Sequence, residues 1–404
     1  MQKIRLGIIY GGPSVEHEIA VISAVQAISA ADDSKYQVVP VYISKDGLWY
    51  TGEALRDISA YADLSSLLAK CRRVQMTADR GSHKLVCRGK GLFAKDEEIA
   101  LDVVLPVMHG AHGEDGCLQG LLELLNIPYA GPGVLAAAVG MDKIMMKNVL
   151  AANNLPVLPA VWFTADEWFA APDEKLAEAE AKLGFPMIVK PANLGSSVGI
   201  ARAADKDELA AALSDAASFS GRLLIEPCLD DRREINCSVL GYGAKVSASV
   251  CEEPLTDNAF LTYQDKYMSG GKSSKGAKPG DKTGPAKAGM GSSRRQIPAD
   301  LPAETAAEIQ SLSKRAFVAL DGCGVARIDV MIDKRNDKIY INEINTIPGS
   351  LAFYLWQAAG TDFTSLIDEL VAGALARQRA KDKLTFSYNT NILAGFSSGG
   401  GQKI

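Results

Sequence analysis

Two β-rich runs near the C-terminal end, Gly324 to Ile332 and Lys338 to Asn345, are joined by the polar turn Asp333-Lys-Arg-Asn-Asp-Lys338. A connection this short allows only an antiparallel return, because parallel neighbours need a crossover of a dozen or more residues. With the hairpin centred near Asn336, Asp329 falls opposite Glu343, and the strand period of two puts Glu343 and Asn345 on one face. Arg327, two residues from Asp329, projects a cation toward the same place. Three oxygen-bearing side chains therefore converge, a donor set that suits magnesium when it also bridges nucleotide phosphates. Taken alone, the pattern also fits the alternation of any half-exposed strand.

At 404 residues the chain exceeds what one hydrophobic core supports, so two or three domains around a cleft are expected. Its 47% hydrophobic and 23% charged residues are the balance of a globular protein rather than a disordered one. A net charge of −5 argues against the basic face that nucleic acid requires, leaving small molecules as the expected partners. The seven cysteines (71, 87, 117, 228, 237, 251, 323) are scattered and form no C-x-x-C pair, so they read as reduced core thiols rather than zinc ligands or disulfides. The opening Met1-Gln-Lys-Ile-Arg-Leu-Gly-Ile-Ile-Tyr10 reads as a buried strand and not a signal peptide. No apolar stretch approaches the roughly 20 residues that span a bilayer, so a cytoplasmic protein without a membrane partner is expected.

Ile4 to Tyr10, Gly11-Gly12-Pro13-Ser14 and the periodic run Ile19 to Ile28 read as strand, turn and helix, with Ser14 a candidate N-cap. Strands over Tyr36 to Ile43 and Leu101 to Met108 and a helix over Gly120 to Leu125 make the first 130 or so residues an open α/β sheet. Residues 64 to 100 carry no clear period. Val134 to Asn153 gives one long helical pattern, placing a boundary near Gly131-Pro132-Gly133. Further elements are a strand over Phe185 to Pro191, a helix over Thr305 to Leu320 and a closing helix over Phe363 to Arg379. Residues 270 to 293, rich in lysine and glycine, lack apolar side chains to bury and read as a mobile insertion. They either attract anions or are a solvated excursion.

Lys190 ends its strand beside Gly195-Ser-Ser-Val-Gly199, which offers backbone N–H groups and the Ser196 and Ser197 hydroxyls without bulk, as a phosphate-covering loop requires. Lys143 stands in Met141-Asp-Lys143; either lysine alone reads as a surface residue. Leu223-Leu-Ile-Glu226, with Glu234 further on, suits a main chain meeting adenine with carboxylates nearby. His109-Gly-Ala-His112-Gly-Glu-Asp-Gly116 follows a strand, where α/β sheets bind ligands, and reads as a substrate loop rather than a metal site. Gly11-Gly-Pro-Ser-Val-Glu16 lacks the dinucleotide fingerprint and reads as a second substrate loop.

In this order, these motifs, with Lys266-Tyr267 and Glu343-x-Asn345-Thr-x-Pro-Gly349, resemble the D-alanine–D-alanine ligases over roughly residues 4 to 375. The resemblance implies a three-domain ATP-grasp fold, α/β and α+β, divided as 1–133 (an N-terminal open α/β substrate domain), 134–222 and 223–396, with a tail from 397. It implies ATP and two magnesium ions (manganese as substitute) on Asp329, Glu343 and Asn345. Lys143, Lys190, Ser196, Ser197, Glu226, Leu229, Glu234 and Lys266 would hold ATP. Arg327 and the Gly349 N–H would form the oxyanion hole. Glu16 and His109 would face the first D-alanine, and Ser196, Tyr267 and Glu16 would latch the closing loop. A homodimer working in peptidoglycan precursor synthesis is implied too.

One departure concerns the second substrate. Where the resembling ligases carry a serine that holds its carboxylate, five residues past the glycine, this chain reads Ser350-Leu-Ala-Phe-Tyr354-Leu355. Either Ser350 or Tyr354 serves D-alanine with its hydroxyl, or the acceptor is D-lactate, D-serine or another amino acid. A nucleotide-binding regulatory protein that kept the fold without catalysis is the reading from another class.

Overall fold

The structure is a computed structural model that describes residues 2–89, 95–195, 198–243, 245–255, 295–388, 390 and 391. The insertion expected at 270–293 and the tail from 397 lie outside the described residues.

Ile4–Gly11 runs parallel to both Tyr36–Ile43 and Val103–Val107 in a five-stranded sheet completed by Trp49–Thr51 and Arg72–Arg73. Its near-continuous apolar sequence is what a strand covered on both faces needs. At Gly11 the chain turns with φ 91°, and a Cβ there would lie 2.3 Å from the Ile43 carbonyl oxygen, so the turn demands glycine. The following helix is His17–Ala30. Ser14 does not cap it, contrary to expectation: Glu16 occupies the cap position, and the Ser14 hydroxyl instead accepts the Glu16 N–H at 3.1 Å. Residues 64 to 100 include the helix Leu64–Ala69 and a small antiparallel sheet of Gln75–Met76, Lys84–Cys87 and Glu97–Ala100.

The single helix expected over Val134 to Asn153 is two, Val134–Met141 and Lys143–Ala152. Asp142 breaks the pattern. It takes extended backbone angles and its carboxylate accepts the N–H groups of Ile144 and Met145 at 3.0 and 2.9 Å, so a new helix starts. Met187–Pro191 then lies in an antiparallel sheet ordered Ala201–Ala203, Met187–Pro191, Arg222–Pro227, Val161–Thr164.

A second five-stranded sheet is ordered Arg295–Gln296, Lys245–Pro254, Arg232–Tyr242, Gly324–Asp333, Lys338–Asn345. The hairpin register is as expected, Asp329 opposite Glu343, but a bulge follows at once and pairs Val330 with Ile341. The helix Ala303–Ala319 covers one face through Ile309, Leu312 and Phe317. The closing helix Phe363–Lys381 returns to the first sheet, where Leu366, Ile367 and Leu370 share a core with Leu6, Ile8 and Leu105. Each such side chain contributes about 1.5–3 kcal/mol on burial, which fastens the chain's two ends together. All seven cysteines are free; Cys117 is exposed and Cys71 partly so, unlike the five buried thiols. Among the described residues no helix is long and apolar enough to cross a membrane.

Candidate active site

The sheet register places Glu252, Asn236, Asp329 and Glu343 side by side across four strands, a polar row perpendicular to the chain. Arg327, two residues before Asp329 and so on the same face, lies opposite Asn345. Its guanidinium forks onto the Asp329 carboxylate at 2.6 and 2.7 Å. Burial opposes the charged guanidinium, but Asp329 outweighs it and holds the Arg327 pKa well above its usual value. The Asn345 amide nitrogen donates to Asp329 at 3.1 Å, orienting the third expected metal residue. Two carboxylates and a carboxamide are an oxygen-only donor set, which fits a hard divalent cation.

Glu226 is buried in the neighbouring sheet, between two ammonium groups. Lys190 Nζ lies 2.6 Å away and also donates to Asn342 Oδ1 at 3.0 Å, while Lys147 pairs with the other carboxylate oxygen. Burial would raise the Glu226 pKa; Lys190 and Lys147 reverse the effect and bring it to about 2. Lys143, first residue of its helix, donates to the Leu194 carbonyl at 2.6 Å and so stands at the glycine-rich loop. Glu234 is forked by Arg232 at 2.7 and 3.0 Å, and Leu229 packs with Leu158 and Met331.

A loop that follows Val103–Val107 of the first sheet meets these residues. Glu114 accepts the Gly110 N–H at 2.8 Å and the Ile347 N–H at 3.1 Å, tying this loop to the segment beyond Asn345. Burial and the nearby Glu16 push its pKa up to about 8. Glu16 is wedged between two glycines: a Cβ on Gly110 would lie 2.9 Å from its Oε2, and one on Gly195 2.7 Å. His109 is buried; its Nε2 meets Ser23 Oγ at 3.0 Å, and it also bonds the Ile347 backbone. Burial lowers its pKa to about 4, so the ring is neutral. Ser23 Oγ also accepts the Ser350 N–H at 2.8 Å.

After Gly349, Ser350, Leu351 and Ala352 adopt left-handed angles with φ of 52, 51 and 50°. Three consecutive non-glycine residues there cost about 1–3 kcal/mol each, so surrounding contacts must impose the turn. Leu355 is fully buried, and the Tyr354 hydroxyl donates to Glu252 at 3.1 Å. Of the expected site residues, the metal trio with Arg327 share one sheet face, and Lys190 meets Glu226. Ser196, Ser197, Lys266 and Tyr267 lie outside the described residues. Glu114 falls within the loop motif His109 to Gly116, whereas Lys147, Ser23, Arg232 and Glu252 belong to no motif of the sequence. Only Lys147 carried a signal, four residues from Lys143 and hence on the same helix face.

The family models described as the N-terminus and the C-terminus of D-ala D-ala ligase match residues 5–132, and 149–283 with 285–372. The D-alanine--D-alanine ligase of Bacillus cytotoxicus is 36% identical over 394 residues, covering 96% of this chain and all of the relative. That of Thermosipho melanesiensis is 35% identical, covering 96% and 98%. Among solved structures, the D-alanine-D-alanine ligase from Coxiella burnetii superposes with a TM-score of 0.75 at 28% identity, covering 95% of this chain and 97% of its own. The VanG D-Ala:D-Ser ligase from Enterococcus faecalis reaches 0.75 at 25%, covering 92% and 100%.

Proposed function

The chain belongs to the D-alanine–D-alanine ligase family, and from that premise we propose how its cleft joins two D-alanine molecules with ATP. The donor carboxylate takes the γ-phosphoryl group, giving D-alanyl phosphate and ADP. The acceptor amine, having lost its proton, attacks the carbonyl carbon; the C–N bond forms and phosphate leaves, yielding D-alanyl-D-alanine for the cell wall. The observation that most supports this reading is Asp329 facing Glu343 across the hairpin with Arg327 forked onto Asp329.

Arg327 and the Gly349 N–H hold the oxyanion of the tetrahedral intermediate, and Lys143, Lys190 and Lys266 hold phosphate oxygens. Glu226, Leu229 and Glu234 take the adenine and ribose. Glu16 takes the donor ammonium beside His109, and Ser196, Ser197 and Tyr267 close over the nucleotide. Asp329, Glu343 and Asn345 would hold two magnesium ions, or manganese, which neutralise charge on the β- and γ-phosphates. Ser350, Tyr354 and Leu355 form the acceptor side. Family membership also supports three domains divided near residues 133 and 222, a homodimer and a cytoplasmic location. A different acceptor and a non-catalytic regulator are not favoured, because the relatives matched along the whole chain are named D-alanine--D-alanine ligases.

Purified protein given ATP, magnesium and D-alanine should release phosphate and form dipeptide in equal amounts. No turnover under those conditions would overturn the reading.

A further inference from the structure

Glu252 ends the polar row that begins at Glu343. It is buried, and three side chains fix it: Asn236 Nδ2 donates at 2.8 Å, the Tyr354 hydroxyl at 3.1 Å, and an Arg295 nitrogen lies 3.3 Å from its second oxygen. The Arg295 guanidinium carbon stands 4.3 Å from the centre of the Tyr354 ring, a cation held over an aromatic face. Arg327 is within electrostatic reach of both Glu252 and Tyr354. The group therefore borders the arginine to which the proposed function assigns the oxyanion.

An acceptor amino acid attacking beside Arg327 brings its carboxylate along. The carboxyl carbon is about 2.5 Å from the attacking nitrogen, so it must settle within a side chain's reach of Arg327. Tyr354 is poorly suited to receive it. A phenol has one proton, and this one is directed to Glu252, so its lone pairs would face the incoming carboxylate. Burial and Glu252 also push its pKa up to about 12, keeping the phenol neutral. Arg295 has the opposite character: a planar, permanently charged fork whose geometry matches a carboxylate. Glu252 and the Tyr354 ring hold that fork in place before any ligand arrives.

We propose that Arg295 binds the carboxylate of the accepting D-alanine, and that Tyr354 and Glu252 are positioning residues that aim it. This rests on the ligase reading above. The test is a competition in which full-length protein receives D-alanine mixed with D-alaninamide, an acceptor without the carboxylate, and the two ligation products are counted by mass spectrometry. Wild type should favour D-alanine, and R295A should lower that preference about ten- to a hundredfold, the usual worth of hydrogen bonds to a charged group. R295Q gives the same reading should R295A not fold. Y354F, which keeps the ring under Arg295, should retain the preference even where its turnover falls. Survival of the preference in R295A and R295Q, or its loss in Y354F, would overturn the assignment. A wild type that forms neither product would instead undo the ligase reading.

Discussion

Ser23 Oγ lies 3.0 Å from His109 Nε2 and accepts the Ser350 N–H at 2.8 Å, so one hydroxyl joins the first helix, the loop that begins at His109 and the left-handed turn after Gly349. The buried ring is neutral, its pKa lowered to about 4 by burial. The turn is strained, and Ser23 is one of the contacts that impose it. Ser23→Ala should therefore displace the Gly349 N–H without removing it. We expect kcat to fall about tenfold while the ATP KM stays within twofold, since small misplacements of a reacting group are costly. Stability should also drop, by about 1–3 kcal/mol for each of the two buried partners, the Ser350 N–H and His109 Nε2, that the hydroxyl no longer satisfies. Steady-state kinetics beside thermal melts separate the two, and an unchanged kcat would remove Ser23 from the positioning role.

Arg327→Ala tests the oxyanion assignment. Losing one preorganised donor typically costs a hundredfold or more in kcat, so turnover should fall by about two orders of magnitude with a modest change in ATP affinity. A variant keeping a tenth of the wild-type activity would count against the role. The substitution also leaves Asp329 without its fork, so magnesium titrations should accompany the kinetics.

Glu226 links stability to pH. Its folded pKa is near 2 against an ordinary 4.5, so it contributes stability that is fully present above about pH 4.5 and is lost as pH falls toward 2. Glu226→Gln should erase this part of the acid transition. It should also cost about 3–5 kcal/mol at neutral pH, because two buried ammonium groups lose their counter-charge. Urea unfolding of both proteins from pH 7 to pH 2.5 checks the sign. A variant as acid-sensitive as wild type would show that the stabilisation lies elsewhere.

The hairpin was legible because its information is local: a polar turn and a period of two fix which residues face each other, and only the bulge after Asp329 escaped. The site's supports were not legible. Ser23 and His109 are 86 residues apart, and Tyr354 and Glu252 are 102 apart, so no periodicity relates them. Tyr354 drew notice only because it stands where the resembling ligases carry serine. That its proton goes to Glu252 depends on how three strands and a helix pack, and propensity does not encode it. Ser14 misled for the opposite reason: hydroxyls favour both caps and turns, and here the turn took it.

Asp142 shows the same competition inside what read as one helix. Apolar residues continue with helical spacing from Val134 to Leu150, yet Asp142 turns out of the helix and caps the next one, placing Lys143 at its first position. The carboxylate also pairs with Arg222, on the antiparallel sheet that holds Met187–Pro191, so the break is held from two sides. Asp142→Ala restores good helix propensity and removes the cap, which alone is worth about 1 kcal/mol. If the break exists to aim Lys143 at the glycine-rich loop, the variant should lose about that much stability and bind ATP several-fold more weakly, with kcat at saturating ATP nearly unchanged. Isothermal titration with ATP and thermal melts read the two effects independently. Full ATP affinity in a destabilised variant would reduce Asp142 to a cap with no share in nucleotide binding.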